Sequence, residues 1–423
     1  MITLLVFAIL LCLGLPIIFL LLASSIVFVL EVGAIALFDS FLVQSVKGVE
    51  ATGFLAIPLY ILVGEIMNRS GITERLIRTA MRIVGGLHGG LAYVNVLTNA
   101  FCAAILGSAT AQIAIMSRSM VPEMEKHGYD KSFATGLTVT TGLLGPIIPP
   151  SMLMIIYGVL AYQSVAALFV AGLIPGILVM AAFFATIFLS RKHLPGEEER
   201  PVLSYALQDI LMDALPGLIP LTIILGIVSG VMTPTEAGAL AALVALVISI
   251  FIFGSLKIAD FVPVMKAVVL SSASIISLIA FATLLGWVLA YQGIPDILAS
   301  GIADLSVGPI SFLLLVCLVV FILGMFLDGI GVMIVIVPVL LPIATTFEVD
   351  PIHFGVVISV ATLTGLVSPP VGPGLYIAMD ATGQKMAPIV KGALPFLGAF
   401  LLSLFVILLL PKLSTGLPGF LGL

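Results

Sequence analysis

The sequence predicts an all-α polytopic membrane protein with inverted-topology repeats, each repeat carrying one re-entrant helical hairpin and one discontinuous span. Three observations carry that prediction. The chain of 423 residues is 61% hydrophobic and 9% charged, which is more apolar surface than a soluble fold can hide. One break occurs twice inside apolar sequence, as Gly145-Pro146-Ile147-Ile148-Pro149-Pro150 and, 220 residues on, as Gly365-Leu366-Val367-Ser368-Pro369-Pro370. The charges flanking two further broken apolar stretches, one in each half, differ in sign.

Apolar runs predict spans near 3–30, 52–68, 132–160, 165–190, 209–230, 236–256, 268–290, 354–380 and 392–411, each long enough to cross a bilayer. No charged side chain precedes Glu31 and there is no basic n-region, so 3–30 reads as a retained span and not a cleaved signal. Two further apolar stretches, about 87–118 and about 308–342, are broken at Gly107-Ser108-Ala109-Thr110 and at Gly324-Met325-Phe326-Leu327-Asp328-Gly329. Their arms of about ten to fifteen residues are too short to cross, which suits re-entrant hairpins.

Lys and Arg in short loops mark the cytoplasmic side. The first broken stretch lies between Arg69, Arg75, Arg78 and Arg82 before it and Arg118, Lys126 and Lys131 after it. It therefore enters and leaves on the inside. The second lies between Asp296 and Asp304 before it and Glu348 and Asp350 after it, with no Lys or Arg in 291–307 or 343–353. It enters and leaves on the outside, so the repeats are inverted. Arg191, Lys192, Lys257, Lys266, Lys385 and Lys391 then all fall inside. The first repeat is 1–193, a polar cytosolic linker is 194–208, and the second repeat is 209–423. Nine full spans place the N-terminus in the cytoplasm and a short C-terminal tail in the periplasm.

Composition excludes other classes. Cys12, Cys102 and Cys317 sit singly in apolar segments and form neither a metal pattern nor a disulfide framework. The net charge of −5 comes with no basic stripe, so no nucleic acid is expected.

A duplicated, proline-broken membrane segment points to the binding site of a secondary transporter. Unpaired backbone groups cost several kcal/mol in hydrocarbon, so irregular backbone survives only inside protein or beside a cavity. Pro149, Pro150, Pro369 and Pro370 each remove a donor and free a carbonyl upstream. Freed carbonyls are hard oxygen ligands suited to Na⁺, and half-helix N-termini suit an anionic substrate. Polar residues gather at the breaks: Ser108, Thr110 and Gln112; Thr138, Thr140, Thr141 and Ser151; Asp328; Thr362, Thr364 and Ser368. For any single hydroxyl the plainer reading is back-bonding to its own helix; the clustering favours a site. An acid at the bilayer centre costs roughly 2.5–3.5 kcal/mol, so Asp328 is expected to have a Na⁺-linked role. Arg118 is expected to snorkel, Glu65 to pair with Arg69, and Asp380 to be solvated at the end of its span.

These motifs resemble a known family. Val121-Pro122-Glu123-Met124, Gly128-Tyr129-Asp130, Gly145 to Ser151 and Met154-Ile155-Ile156-Tyr157-Gly158 look like the large membrane subunit of TRAP transporters, the DctM-type permease. Gly324 to Asp328, Asp350 to Gly355, Ser368-Pro369-Pro370-Val371-Gly372 and Gly392-Ala393-Leu394-Pro395-Phe396 agree, so the resemblance covers nearly the whole chain.

The resemblance implies an elevator-type, sodium-coupled importer of organic acids such as C4-dicarboxylates or sialic acid, in the bacterial inner membrane. It also implies a small four-helix membrane subunit and a periplasmic substrate-binding protein as partners. By the same analogy the hairpins and broken spans form a moving transport domain and the remaining spans a scaffold. One Na⁺ site would lie between Gly107–Thr110, including Ser108, and Thr141–Gly145; a second between Gly324–Asp328 and Thr364–Ser368. The acid would meet Ser108, Gln112, Thr140, Pro149, Pro150, Ser151, Pro369, Pro370 and Gly372. The first tip is poor in serine, so backbone carbonyls must do more there. The alternative is a stand-alone divalent-anion/Na⁺ symporter that needs no binding protein, which the gene neighbourhood would distinguish. An enzyme is not expected: Asp328 has no second membrane aspartate for a dyad, and Ser108 has no placed histidine.

Overall fold

The computed structural model describes residues 2–50, 52–195, 206–294, 297, 300, 301 and 308–423. Most of the linker at 194–208, and Asp296 and Asp304, lie outside the described residues. Among those residues the chain is helical, with no strand.

The N-terminal region departs from expectation. Residues 3–30 are not one span but α1 (Ile2–Cys12) and α2 (Ile17–Val32), separated at Gly14 with φ +70°. They fold back on each other, and the Glu31 carboxylate accepts from the backbone N–H groups of Ile2 and Thr3 and from Thr3 Oγ1 at 2.7 Å. Gly14 and Pro16 break the helix between two apolar arms. Both ends of the segment lie together, so the count of nine spans loses its first member and no longer places the N-terminus.

The next helices are α3 (Phe41–Lys47), α4 (Ala56–Arg69) and α5 (Ile72–Val84). The first helical hairpin follows as α6 (Gly90–Leu106) and α7 (Ala109–Lys126). The first broken span is α8 (Lys131–Thr141) and α9 (Met152–Leu160), and α10 (Val165–Ser190) closes the half. Then come α11 (Leu207–Ala214), α12 (Leu218–Val228), α13 (Pro234–Val247) and α14 (Ile258–Tyr291). The second hairpin is α15 (Pro309–Gly324) and α16 (Gly329–Thr346), and the second broken span is α17 (Pro351–Leu366) and α18 (Pro373–Thr382). The chain ends in α19 (Met386–Leu409) and α20 (Lys412–Leu421).

Helix starts recur at a nearly constant interval: Ala109 and Gly329, Lys131 and Pro351, Met152 and Pro373, Val165 and Met386. The residues before them recur too. Ser108 and Asp328 cap α7 and α16 through side-chain oxygens that accept from Ala111 N and Gly331 N, and Asp130 and Asp350 cap α8 and α17 in the same way. A side-chain acceptor at these positions satisfies one of the orphan N–H groups of the first turn.

Three expectations need adjustment. The hairpin arms run 17, 18, 16 and 18 residues, longer than expected, and α16 is long and apolar enough to cross a membrane by length. The extra length in α7 is polar, running past Arg118 to Glu123, Glu125 and Lys126. Span α10 packs on α6, α9, α17, α19 and α20 and touches α12, and α19 packs chiefly on α8, α10, α17 and α18, so both lie more against the broken spans than against the remaining helices. Gly136 and Gly392 let α8 and α19 cross almost backbone to backbone, since a Cβ on Gly392 would meet the Ser132 carbonyl oxygen at 1.9 Å; small residues permit this in place of a hydrophobic driving force. Finally, the C-terminal tail forms α20, which docks on α10 and α17 with Ser414 buried beside His353.

Of the described helices, six are long and apolar enough to span a membrane by length and composition. On the side marked basic, Arg75, Arg78 and Arg82 of α5 converge on Asp213 of α11 at 3.5, 2.9 and 2.7 Å. Those arginines therefore anchor α5 as well as marking topology, and the Glu65–Arg69 pair is absent among the described residues.

Candidate functional site

The two hairpin tips and the two broken spans meet at one small cavity. It is lined by Gly107, Ser108 and Thr110 from the first tip and by Asp328, Gly329 and Ile330 from the second, with Pro146, Met152, Leu153, Leu363 and Leu366 from the breaks. Its volume is about 40 Å³, room for an ion or a water and far below the ~300 Å³ of a small-molecule pocket.

Glycines bring the backbones this close. Gly107 ends α6 at φ +59°, and a Cβ there would stand 3.0 Å from the Pro150 carbonyl oxygen. A Cβ on Gly145 would stand 2.7 Å from Gln112 Oε1 and 3.2 Å from the Ser108 carbonyl oxygen. In the second copy a Cβ on Gly324 would meet the Thr362 carbonyl oxygen at 2.7 Å, and one on Gly365 would meet the Gly324 carbonyl carbon at 2.5 Å. Each tip is thus seated against the backbone of its own broken span.

The expected site residues divide into two groups. Gly107, Ser108, Thr110 and Asp328 line the cavity, with Ser108 Oγ and Thr110 Oγ1 3.1 Å apart. The others spend their hydroxyls locally. Thr140 donates to the Gly136 carbonyl at 2.8 Å, Thr364 to Ala361 and Ser368 to Thr364 at 2.6 Å each, and Ser151 to Pro146. Ser151 also caps α9 by accepting from Met154 N at 3.3 Å. Pro149 faces a separate apolar pocket against Phe169 and Ile224. Pro369 and Pro370 are exposed, and Gly372 opens α18 at φ +34°. Gly145 and Gly324 act through close approach of backbone, as above.

The sequence did not reveal a buried amide ladder behind the first tip. Asn95 Nδ2 donates to Thr138 Oγ1 at 2.6 Å; Asn99 Nδ2 donates to Asn95 Oδ1 at 2.7 Å and to Thr141 Oγ1 at 2.9 Å; Gln112 Nε2 donates to Asn99 Oδ1 at 2.8 Å. The bond from Gln112 to Asn99 requires α7 to fold back along α6. It also fixes the Gln112 amide: with Nε2 between the backbone and side-chain oxygens of Asn99, a flipped amide would oppose oxygen to oxygen. Gln112 Oε1 is thereby held toward Gly145, fully buried and without a donor among the described residues. Such an acceptor is costly unless something positive or protic meets it. The available signal was the pair Asn95 and Asn99, two amides four apart on one face of an otherwise largely apolar helix.

Comparison with known proteins agrees with this architecture. The family model for the tripartite ATP-independent periplasmic transporter, DctM component, matches residues 4–413. The sialic acid TRAP transporter large permease protein SiaM of Vibrio cholerae is 31% identical over 385 residues, covering 90% of this chain and 89% of SiaM. The C4-dicarboxylate TRAP transporter large permease protein DctM of Pseudomonas aeruginosa is 32% identical over 377 residues, covering 87% of each. The fold is shared with the Alcanivorax borkumensis YdaH transporter at TM-score 0.64 and 13% identity, over 89% of this chain and 88% of that one. A multi-pass, all-helical chain matched from end to end by one transporter family is no enzyme: it belongs to the DctM component of the tripartite ATP-independent periplasmic transporters, as a large permease subunit.

Proposed function

We propose that this permease couples inward Na⁺ movement to import of an organic acid, in an inner membrane, with a small membrane subunit and a periplasmic binding protein that delivers the acid. The relatives transport sialic acid and C4-dicarboxylates by name, and an acid of that kind is the substrate class expected here. The observation that carries the reading is the ion-sized cavity where both tips meet, with Asp328, Ser108 and Thr110 on its wall.

Na⁺ is co-substrate in this reading. Carboxylate, hydroxyl and freed carbonyl oxygens are the donor set a hard cation takes. Asp328 supplies the charge, while Gly107, Gly145 and Gly324 bring the tips close to backbone oxygens of Pro150, Ser108 and Thr362. Because the cavity is too small for the acid, substrate binding requires the tips to part from the breaks. Na⁺ occupancy sets the arrangement of Ser108 and Asp328, and so the acid site. Movement of the hairpins with α8, α9, α10 and α17 to α19 against α4 and α11 to α14 then carries both across, as an elevator.

Uptake of labelled acid into proteoliposomes tests this. Full uptake is expected only with a Na⁺ gradient, the small subunit and the binding protein together. Uptake indifferent to Na⁺ overturns the coupling; uptake without the binding protein favours a stand-alone symporter.

A further inference from the structure

We propose that Arg118 is the counter-charge that receives the carboxylate of the transported acid on the cytosolic side of the cavity; this rests on the organic-acid reading above. No cationic side chain lines the cavity, so a carboxylate leaving it must find its positive partner elsewhere. The eight half-helices around the cavity, α6 to α9 and α15 to α18, carry three lysine and arginine side chains: Arg118, Lys126 and Lys131. Lys126 and Lys131 lie at helix ends, against Glu123 at 3.4 Å and Glu125 at 3.5 Å, whereas Arg118 lies within α7, closer along that helix to the tip than Lys126 is. It stands eight residues from Thr110 along α7, about 12 Å toward the basic end.

Its partner is poised for exchange. Arg118 Nη2 lies 3.7 Å from Asp380 Oδ2, with the side chains 68% and 82% exposed. A pair so open is worth about 0–1 kcal/mol and does not hold the fold together. An incoming carboxylate replaces Asp380 at little cost, because Asp380 returns to water. Helix α18 packs along α7; ahead of it Pro369 and Pro370 are exposed, and on it the exposed Tyr376 lies one turn before Asp380, which meets Arg118. The guanidinium fork suits a planar carboxylate better than a point charge does.

The test uses the full permease with its small subunit in proteoliposomes, the binding protein outside and a Na⁺ gradient, and reads inhibition of uptake by acid loaded inside. Arg118→Gln is expected to raise the internal concentration for half-inhibition about fivefold, ~1 kcal/mol, with external KM and Na⁺ half-saturation unchanged. Arg118→Lys, which keeps the charge and loses the fork, is expected to fall between wild type and Arg118→Gln, about twofold to threefold. Asp380→Asn is the deciding variant. If the pair is only structural, Asp380→Asn behaves like Arg118→Gln, and the proposal fails. If Arg118 meets the acid, Asp380→Asn frees the guanidinium and lowers the internal concentration for half-inhibition. Unchanged inhibition in Arg118→Gln also overturns the proposal while leaving the importer reading intact. A wild-type protein that moves no organic acid overturns the importer reading, and this proposal with it.

Discussion

The two Pro-Pro breaks share a plan but not a chemistry. The first is enclosed: Gly145, Pro146, Pro149 and Pro150 are buried, Ser151 caps the outgoing half-helix, and the Asn95–Asn99–Gln112 ladder backs the tip. The second is open. Pro369 and Pro370 are exposed, α18 begins at Gly372 with no side-chain cap, and Thr364 and Ser368 bond only to their own helix. The same plan is thus held by a buried side-chain ladder in one copy and, apart from the Asp328 and Asp350 caps, by close backbone packing in the other. The first copy reads as the fixed reference, and the second as the copy free to rearrange and to pass substrate toward Arg118.

This contrast can be broken by substitution, with thermal unfolding of the purified chain as readout. The largest effect is expected for Gly365→Ala. Its Cβ would meet the Gly324 carbonyl carbon and the Phe321 carbonyl oxygen at 2.5 Å, both backbone, for a loss of about 3 kcal/mol. Gly145→Ala should lose less, about 1–2 kcal/mol, because the nearest atom is the end of the Gln112 side chain, which yields at the expense of its bonds to Asn99, while the nearest backbone, Ser108, stands at 3.2 Å. The reverse order would place the rigid contact in the wrong copy. Next, Asn99→Leu strands donors and acceptors on Asn95, Gln112 and Thr141 and should lose about 2 kcal/mol, whereas Thr364→Val removes one helical back-bond and should lose under ~1 kcal/mol. Equal losses would mean the ladder is no brace. Ser151→Ala is expected to lose about 1 kcal/mol through loss of the α9 cap, between the ladder variant and Thr364→Val.

The breaks and tips were legible in the sequence because glycine and proline act on the backbone where they stand. Gly107, Gly145, Gly324 and Gly365 needed no distant partner to announce themselves. The same signal was present at Gly14 and Pro16, and the apolar run around them hid a fold-back that only Glu31 meeting Ile2 and Thr3 makes plain. Hydroxyl direction was not legible. Thr140, Thr364 and Ser368 occur at the breaks but turn to carbonyls three or four residues back, while Ser108 and Thr110 face the cavity. The Asp213 clamp and the Gln112 orientation depend on residues brought together by the fold; Arg78 reaches across 135 positions to Asp213. Nothing local encodes such pairs.

The central claim is that the shared cavity is a Na⁺ site with Asp328 as its charge. Na⁺ titration of the melting temperature, in a potassium background, tests it on wild type and Asp328→Asn. Wild type should be stabilised by Na⁺ and not by K⁺, and Asp328→Asn should need at least tenfold more Na⁺ for the same shift, about 1.4 kcal/mol. An unchanged Na⁺ half-saturation in Asp328→Asn would contradict the assignment.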